Sequence, residues 1–232
     1  MIKQTITYID FDGVERKEER YFKMSKREEF KMDKYDVIFF TGAGISAESG
    51  IPTFQEQPGI RDKLTRDFAN IYPEVYRKTI RDMKEACDKA EPNAAHRAIA
   101  ELGCPVITMN VDQLHTKAGS ENVIEVHGVL PTWEELEDEY FPEEYRGIVL
   151  YGDMAPRYHD AFELVEKLRF GASVFVIVGV SFYTSISEQL RYLARSRYAH
   201  IIIINDNAAT RVPELCEHLK AGDIRDFDAF SD

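Results

Sequence analysis

The sequence predicts a doubly wound α/β fold with a mainly parallel, Rossmann-like sheet. Short, continuous apolar runs recur from residue 35 onward: YDVIFF, CPVITM, NVIEVH, GIVLY, SVFVIVGV and HIIIIN. Such runs are typical of strands that are buried on both faces of a parallel sheet. Between them, NAAHRAIAEL, HDAFELVEKLRF, SISEQLRYLARSR and VPELCEHLK carry apolar residues at helical spacing. This alternation of strand and helix, with glycines at strand exits, indicates the doubly wound architecture.

The N-terminal residues follow a different pattern. The stretches ITYIDF and ERYFKM are short and partly alternating, as in strands, and Asp12-Gly13 between them is a strong hairpin turn signal. Ser25 and Glu28 have the spacing of a capping box, which predicts a short helix that begins at Lys26.

These signals divide the chain into two parts. We predict a hairpin and helix extension over residues 1–34 and a main α/β domain over residues 35–232. Within the extension, the run TYIDFDGVERKEERYFKMSKRE resembles the start of some phage tail-assembly proteins. We interpret the extension as a small hairpin that decorates the main domain.

Length and charge limit the classes of function. The chain has 232 residues, enough for one sizeable domain with a small appendage. Its formal net charge of −12 argues against broad contact with nucleic-acid phosphates. No apolar run approaches the roughly 18 residues of a membrane span, and MIKQTITYID lacks the apolar core of a secretory signal. We therefore expect a cytoplasmic protein that binds neither nucleic acid nor membrane.

The cysteines do not form a metal-binding pattern. Cys87, Cys104 and Cys216 are far apart, with no CxxC pair and no Cys/His cluster at metal-ligand spacing. Isolated thiols of this kind are typical of small buried residues in a reducing compartment. We expect no bound metal.

Residues 132–146, TWEELEDEYFPEEYR, are strongly acidic. Seven carboxylates lie in this stretch: Glu134, Glu135, Glu137, Asp138, Glu139, Glu143 and Glu144. The pattern indicates a solvated helix or loop. The alternative is a rim that attracts a cationic substrate.

The first strand of the main domain runs directly into TGAGISAESGIP, residues 41–52. Gly42 and Gly44 allow a tight turn and a close approach of the backbone to a ligand. The N–H groups at the start of the following helical segment favour phosphate. Ala47 stands where the dinucleotide fingerprint G-x-G-x-x-G has its third glycine, so an ordinary dehydrogenase is disfavoured.

Polar side chains follow two later strands. Asn110 and Asp112 come after a buried strand, at the carboxyl edge where α/β sheets bind ligands. An amide can fix a ribose or a water, and a carboxylate can stabilise a developing positive charge, although both residues are also common in turns. His127 ends another strand, and the near-neutral pKa of an imidazole suits a general base. For His96 and His115 we expect a role in the scaffold.

Several segments resemble known motifs in a fixed order. They are GAGISAESGIPTF, EPNAAHRAIAEL, TMNVDQLHTKAGS, VIEVHG, VLYGDMAP, GVS at 179–181 and IIIIN. In the same order they are similar to the NAD-binding opening, the Pro-Asn-x-x-His helix, the Thr-Gln-Asn-Ile-Asp-x-Leu-His segment, the catalytic His-Gly, the substrate strand Phe-Gly-Glu-x-x-Pro, the Gly-Thr-Ser and the adenosine-site Asn of the sirtuins. The resemblance covers roughly residues 35–225.

The resemblance implies NAD as the cofactor and an acyl-lysine protein or peptide as the substrate. The implied catalytic residues are His127, Asn110 and Asp112. The implied cofactor-binding residues are Gly42, Ala43, Gly44, Ile45, Ser46, Phe54, Gln55, Met109, Asn110, Asp112, Gly179, Ser181 and Asn205. The implied substrate-binding residues are Tyr151, Gly152 and Asp153, whose segment would pair with the peptide as an added strand.

The family mechanism implies a division of labour. The nicotinamide bond breaks, and the acyl oxygen of a modified lysine attacks the exposed ribose carbon. His127 would then deprotonate a ribose hydroxyl, so that the acyl group passes to ADP-ribose. We therefore expect an NAD-dependent protein-lysine deacylase. The alternatives are an NAD hydrolase or ADP-ribosyltransferase, which needs no acyl-lysine tunnel, and a catalytically weak NAD or ADP-ribose sensor.

The chain departs from the family at three places. The interval between His-Gly and the substrate strand holds no cysteine, so a four-cysteine zinc site is impossible and the small lobe must be reduced, with a helix around Trp133–Tyr140. Gln55 stands where the family has an arginine, and it cannot supply that charge. Met109 replaces a glutamine, and a thioether cannot donate to a ribose hydroxyl. The loss of two polar groups costs on the order of several kcal/mol of transition-state stabilisation, which favours the sensor alternative.

Overall fold

The computed structural model describes residues 2–9, 15–22, 36–138, 141 and 147–222. The chain divides into two compact units, residues 1–31 and 32–232. The first unit contains the predicted hairpin, an antiparallel pair of β1 (Ile2–Ile9) and β2 (Glu15–Phe22). The Asp-Gly turn and the helix expected from residue 26 lie outside the described residues.

The second unit is built on a five-stranded parallel sheet. Its strands are β3 (Val37–Thr41), β4 (Val106–Thr108), β5 (Val123–Glu125), β6 (Val174–Val178) and β7 (His200–Ile204), in the spatial order β5-β4-β3-β6-β7. All residues of β3, β4 and β6 are buried, as the continuous apolar runs predict. The strand order reverses between β3 and β6, so this pair forms the topological switch point at which doubly wound sheets bind ligands.

One predicted strand is wrong. The run GIVLY, residues 147–151, does not join the sheet; Ile148 forms an isolated antiparallel bridge with Gly128, and Tyr151 forms a parallel bridge with Thr65. The run is apolar because Ile148 and Leu150 are buried in a separate hydrophobic cluster. A short apolar run indicates that its side chains are buried, but it does not indicate whether they are buried in the sheet or in another hydrophobic cluster.

Helices cover both faces of the sheet. They are α1 (Ile60–Lys63), α2 (Arg66–Ile71), α3 (Pro73–Lys89), α4 (Ala94–Leu102), α5 (Leu114–Lys117), α6 (Trp133–Glu137), α7 (Tyr158–Glu166), α8 (Ser185–Ser196) and α9 (Ala208–Lys220), with a 3₁₀ segment at Ala43–Ser49. Apolar residues of α4 and α9 pack on one face, and those of α7 and α8 pack on the other. The four helices predicted from periodicity are confirmed as α4, α7, α8 and α9. Within the described ranges, no helix is both long and apolar enough to cross a membrane.

A second core lies beside the sheet, in a small lobe formed by α1, α2, α3, α6 and residues 147–150. Its cluster comprises Leu64, Ala69, Tyr76, Ile80, Leu130, Leu136, Phe141, Ile148 and Leu150. The rings of Tyr76 and Phe141 stack with centroids 5.9 Å apart. The guanidinium of Arg77 donates to the carbonyl oxygens of Leu136 and Asp138, at 2.6 and 2.8 Å, and so caps the end of α6. The predicted helix in this region is present as α6, which begins with a capping box of Thr132 and Glu135.

Candidate functional site

A cleft of ≈ 1110 Å3 opens at the carboxyl edge of the sheet, between the switch point and the small lobe. The predicted site residues that line it are Ala43, Gly44, Ser46, Phe54, Gln55, Met109, Asn110, Asp112, His127, Tyr151, Gly152, Asp153, Gly179, Ser181 and Asn205. Gly42 and Ile45 are buried and do not line the cleft. Residues from seven separate stretches of sequence therefore meet in one place.

The floor of the cleft is a contact between two glycine backbones. The N–H of Gly44 donates to the carbonyl oxygen of Gly179 at 3.0 Å, and a Cβ on Gly44 would lie 2.6 Å from the Cα of Gly179. Gly179 has φ +64°, a conformation that side chains rarely adopt. Because a larger residue at 44 would enter this space, the loops after β3 and β6 can approach only as glycines. A cradle of bare backbone at a switch point fits the phosphates of a dinucleotide.

A part-buried hydrogen-bond chain joins three predicted site residues. Asn110 Nδ2 donates to Ser46 Oγ at 3.1 Å, and Ser46 Oγ donates to Asp112 Oδ2 at 2.7 Å. Asp112 Oδ1 accepts from the backbone N–H of Leu114 at 2.9 Å. Burial raises the pKa of Asp112, and its hydrogen bonds partly offset that effect. The Ser46 hydroxyl is thus engaged with Asn110 and Asp112, and it orients them toward the cleft.

Two histidines lie beneath this chain. His96 Nδ1 lies 3.1 Å from Asn93 Oδ1, and His115 Nε2 lies 3.0 Å from Thr41 Oγ1. The two imidazole rings meet edge to face, with their centroids 4.9 Å apart. Burial lowers the pKa of His96 to about 4 and that of His115 to about 3. Both imidazoles are therefore neutral near pH 7, and their contacts agree with the predicted role in the scaffold.

His127 is held by hydrogen bonds at both ring nitrogens. Its Nδ1 lies 3.1 Å from the carbonyl oxygen of Met109, which can only accept, so Nδ1 carries the proton of the neutral ring. Nε2 then holds a lone pair, and it lies 3.0 Å from the hydroxyl of Tyr158. Burial lowers the pKa of His127 below its usual value. The geometry gives a neutral imidazole at pH 7 with Nε2 as the basic atom.

The glycine after His127 has a steric reason. The His127 carbonyl accepts from the N–H of Val149 at 2.9 Å, and the Val129 N–H donates to the carbonyl of Gly147 at 3.1 Å. Gly128 lies between these bonds with φ +74°, and a Cβ there would overlap the carbonyl oxygen of Gly147. The His-Gly pair thus places the imidazole by backbone pairing with residues 147–149.

Comparison with known proteins agrees with this geometry. A model of the Sir2 family matches residues 42–137. NAD-dependent protein deacylase 2 of Archaeoglobus fulgidus is 34% identical over 203 residues, which cover 73% of this chain and 79% of that protein. The chain belongs to the Sir2 family. A second family model, phage tail assembly chaperone, matches residues 1–48.

Solved structures of Sir2 homologues share the fold. A Sir2 homologue in complex with NAD superposes with a TM-score of 0.68 at 26% identity, covering 80% of this chain and 89% of that one. A mutant Sir2 homologue in complex with 2′-O-acetyl ADP ribose superposes with a TM-score of 0.69 at 27% identity, covering 82% and 94%. The doubly wound prediction is confirmed.

Two positions set this Sir2 chain apart at its cleft. Met109 is partly buried, and its Sδ accepts from the hydroxyl of Thr184 at 3.2 Å, so it acts as packing on that side. Gln55 is exposed at the cleft mouth. Sequence reasoning missed Arg61 on α1, which also lines the cleft and lies 4.3 Å from the ring centroid of Tyr183. A cation therefore reaches the cleft from a stretch in which no motif predicted one.

The predicted substrate segment is partly engaged within the chain. The N–H and carbonyl of Tyr151 pair with Leu64 and Arg66, each at 3.0 Å, and the carboxylate of Asp153 accepts from the Arg66 guanidinium. The backbone N–H and carbonyl of Tyr151 are therefore already paired within the chain, and the substrate-binding role of residues 151–153 stays a prediction. Gly152 has φ +96° and lies in a turn that the Asp153 N–H closes by donating to the carbonyl oxygen of Leu150 at 3.0 Å.

The described part of the acidic stretch does not contribute to the cleft. The described part of it is α6 and the residues around it, whose carboxylates point to solvent, and Glu137 pairs with Arg81 at 2.8 Å. No residue of 133–138 lines the cleft. The interpretation as a solvated helix fits these residues; Glu139, Glu143 and Glu144 lie outside the described part.

Proposed function

We propose that this chain is an NAD-dependent protein-lysine deacylase, which cleaves the nicotinamide–ribose bond and transfers the acyl group to ADP-ribose. The observation that carries the proposal is the neutral His127 with Nε2 as its basic atom, in the same cleft as Asn110 and Asp112 of a Sir2 family member. The curated relative is named a protein deacylase, and one similar structure holds an acetylated ADP ribose.

Each part of NAD can be assigned to a region of the cleft with suitable polar groups. We assign the phosphates to the glycine floor and the adenosine end to Asn205, whose Oδ1 accepts from the N–H of Val180 at 3.1 Å and so lies beside β6. The other end of the cleft carries Asn110, Asp112 and His127. Bound there, NAD supplies a ribose carbon that becomes electrophilic when nicotinamide leaves.

Asp112, Asn110 and His127 at that end have different proposed roles, which follow from the charge and the hydrogen-bonding groups of each side chain. The carboxylate of Asp112 is half-buried, and in such a site a negative charge stabilises developing positive charge more strongly than in water. The amide of Asn110 is oriented by Ser46 and can fix a ribose hydroxyl or a water. His127 receives a proton from a ribose hydroxyl through Nε2, which is the role of a general base.

The other expectations for the chain remain part of this proposal. We propose a cytoplasmic enzyme without zinc, with a peptide as its second substrate and with no nucleic-acid or membrane partner. All three cysteines are free, and burial raises the pKa of Cys87 and of Cys216 to about 12, so these thiols are inert and protonated. The apolar cluster of the small lobe supports the proposal that this lobe is stable without a metal.

A catalytically weak sensor is the second candidate, and Gln55 and Met109 favour it. Both candidates are tested by incubating the pure protein with NAD, with and without acetyl- or succinyl-lysine peptide, while nicotinamide release is measured. A deacylase releases nicotinamide only with peptide, at a rate that matches loss of the acyl group. An NAD hydrolase releases it at one rate in both reactions. A sensor releases none, yet NAD still raises its melting temperature.

Variants locate the two steps within the cleft. His127→Ala should abolish deacylation and leave NAD binding and nicotinamide exchange intact, since the base acts after nicotinamide leaves. Asn110→Ala should damage both steps, since it acts where charge develops on the ribose. Equal loss of both steps in the two variants would contradict this division.

A further inference from the structure

The Nε2 atom of His127 already has a partner in the protein. The hydroxyl of Tyr158 lies 3.0 Å from it, and the two rings are 6.0 Å apart between centroids at an angle of 46°. Because Nδ1 carries the ring proton, Nε2 is an acceptor and the Tyr158 O–H is the donor. An imidazole nitrogen has one lone pair, so a ribose hydroxyl cannot bond to Nε2 while Tyr158 does.

Both partners are held by further contacts. His127 is fixed by Met109 at Nδ1 and by the backbone pairing of its carbonyl with Val149. Tyr158 is the first residue of α7, and its ring packs against the apolar cluster on that face of the sheet. Its oxygen keeps lone pairs that can accept a second hydrogen bond, and Tyr158 lines the cleft with His127.

We propose that Tyr158 is a catalytic residue that relays a proton between the ribose hydroxyl and His127. This inference rests on the proposed deacylase function. The ribose O–H bond breaks as its proton moves to the Tyr158 oxygen, and the proton of Tyr158 moves to Nε2. Tyr158 ends neutral, His127 ends as imidazolium, and the ribose oxygen keeps the electron pair with which it attacks the acyl carbon.

The arrangement fits the charges around it. Burial raises the pKa of Tyr158 and lowers that of His127, so both groups are neutral at pH 7 and the hydrogen bond joins a neutral donor to a neutral acceptor. A relay passes the proton without leaving a charge on the phenol. Tyr158 lies two residues beyond the VLYGDMAP segment, at a helix start where the sequence carries no motif.

The test compares Tyr158→Phe with Tyr192→Phe, an exposed tyrosine of α8 that does not line the cleft. We expect Tyr158→Phe to lower the kcat of deacylation at least ~10-fold, with little change in the KM for NAD, in ADP-ribose affinity or in nicotinamide exchange. A plot of the wild-type rate against the fraction of heavy water should be curved, because two protons move together. The same plot for Tyr158→Phe should be linear. Tyr192→Phe should behave as wild type in each measurement.

A second readout does not depend on turnover. Nitrogen NMR of the protein without NAD should show His127 with Nδ1 protonated and Nε2 unprotonated, and Tyr158→Phe should shift the Nε2 resonance alone. Wild-type kcat in Tyr158→Phe, a resonance that does not move, or equal loss of exchange and deacylation would each overturn the relay. A wild-type protein that removes no acyl group would overturn the proposed function and the relay together, whereas an active wild type with an equally active Tyr158→Phe would overturn the relay alone.

Discussion

The parallel sheet and the small lobe close their cores in different ways. In the sheet, β3 and β6 are buried on both faces, and the parallel register brings the loops that follow these strands to one edge. In the small lobe, short helices and the irregular run 147–150 meet in a cluster of side chains from distant parts of the chain. The residues on the cofactor side of the cleft therefore lie at strand ends, which the sequence pattern predicts. The residues on the small-lobe side are placed by tertiary packing, which no local sequence pattern predicts.

The largest expected effect comes from Gly128, which joins the two regions. In Gly128→Ala, the added methyl would collide with the Gly147 carbonyl, so the pairing that positions His127 must open. We expect the rate of deacylation to fall ~100-fold, because displacement of a catalytic group can have an effect of that size. The melting temperature should also fall.

Gly103→Ala is the matched control for this variant. Gly103 has φ +69° at the end of α4 and open space around its missing side chain. It should cost about 1–2 kcal/mol of stability for the conformation alone and leave activity unchanged. If the two alanine variants lose the same activity, close packing at Gly128 is not what positions the base.

A pair of core variants separates the sheet from the small lobe. Leu136 and Ile177 are both fully buried, one in each region. Truncation of either to alanine should cost about 2–5 kcal/mol in the free energy of unfolding, measured by urea denaturation. Leu136→Ala should raise the KM for peptide while ADP-ribose still raises the melting temperature. Ile177→Ala, near the glycine floor, should weaken that ADP-ribose effect, and the reverse pattern would contradict the comparison.

A smaller effect should appear as the pH falls. The folded pKa values of His96 and His115, about 4 and about 3, lie below the ordinary value of 6.5, so the unfolded chain binds more protons in acid. Stability from these groups is complete above pH 6.5 and is lost as the pH falls toward 4, by on the order of 1 kcal/mol for each histidine at pH 5.5. His96→Gln should reduce this slope. A slope that is the same in wild type and His96→Gln would refute the assignment.

The last variable, removal of metal ions, should have no effect on the melting temperature. Because an apolar cluster holds the small lobe, a chelator such as EDTA should leave the melting temperature unchanged, and elemental analysis should give no stoichiometric zinc. One zinc per chain, or a chelator-induced drop of several degrees, would show that the lobe depends on a metal.

The sequence predicts the sheet and its edge well for physical reasons. Continuous apolar runs mark doubly buried strands, and Asn110, Asp112 and His127 follow strand ends, where a parallel sheet brings them together. The same signal failed at residues 147–151, since the small lobe buries that run and the sheet does not.

Other features were out of reach because they depend on tertiary contacts. Tyr158 reaches His127 from the start of a helix 31 residues later in the chain, and Arg61 enters the cleft from a four-residue helix. The hydrogen bond from the Ser46 hydroxyl to Asp112 joins residues that are 66 positions apart, and the place of Ser46 at the cofactor stays a prediction. Spacing along the chain carries no information about such pairs.

The most direct test of the account is the identity of the nucleotide product. Mass spectrometry of the reaction with NAD and an acetyl-lysine peptide should find acetylated ADP-ribose, in one-to-one ratio with nicotinamide and with the free lysine peptide. In His127→Ala that product should disappear while nicotinamide exchange continues. Free ADP-ribose as the first product, formed at the same rate without peptide, would contradict the claim that this cleft transfers an acyl group.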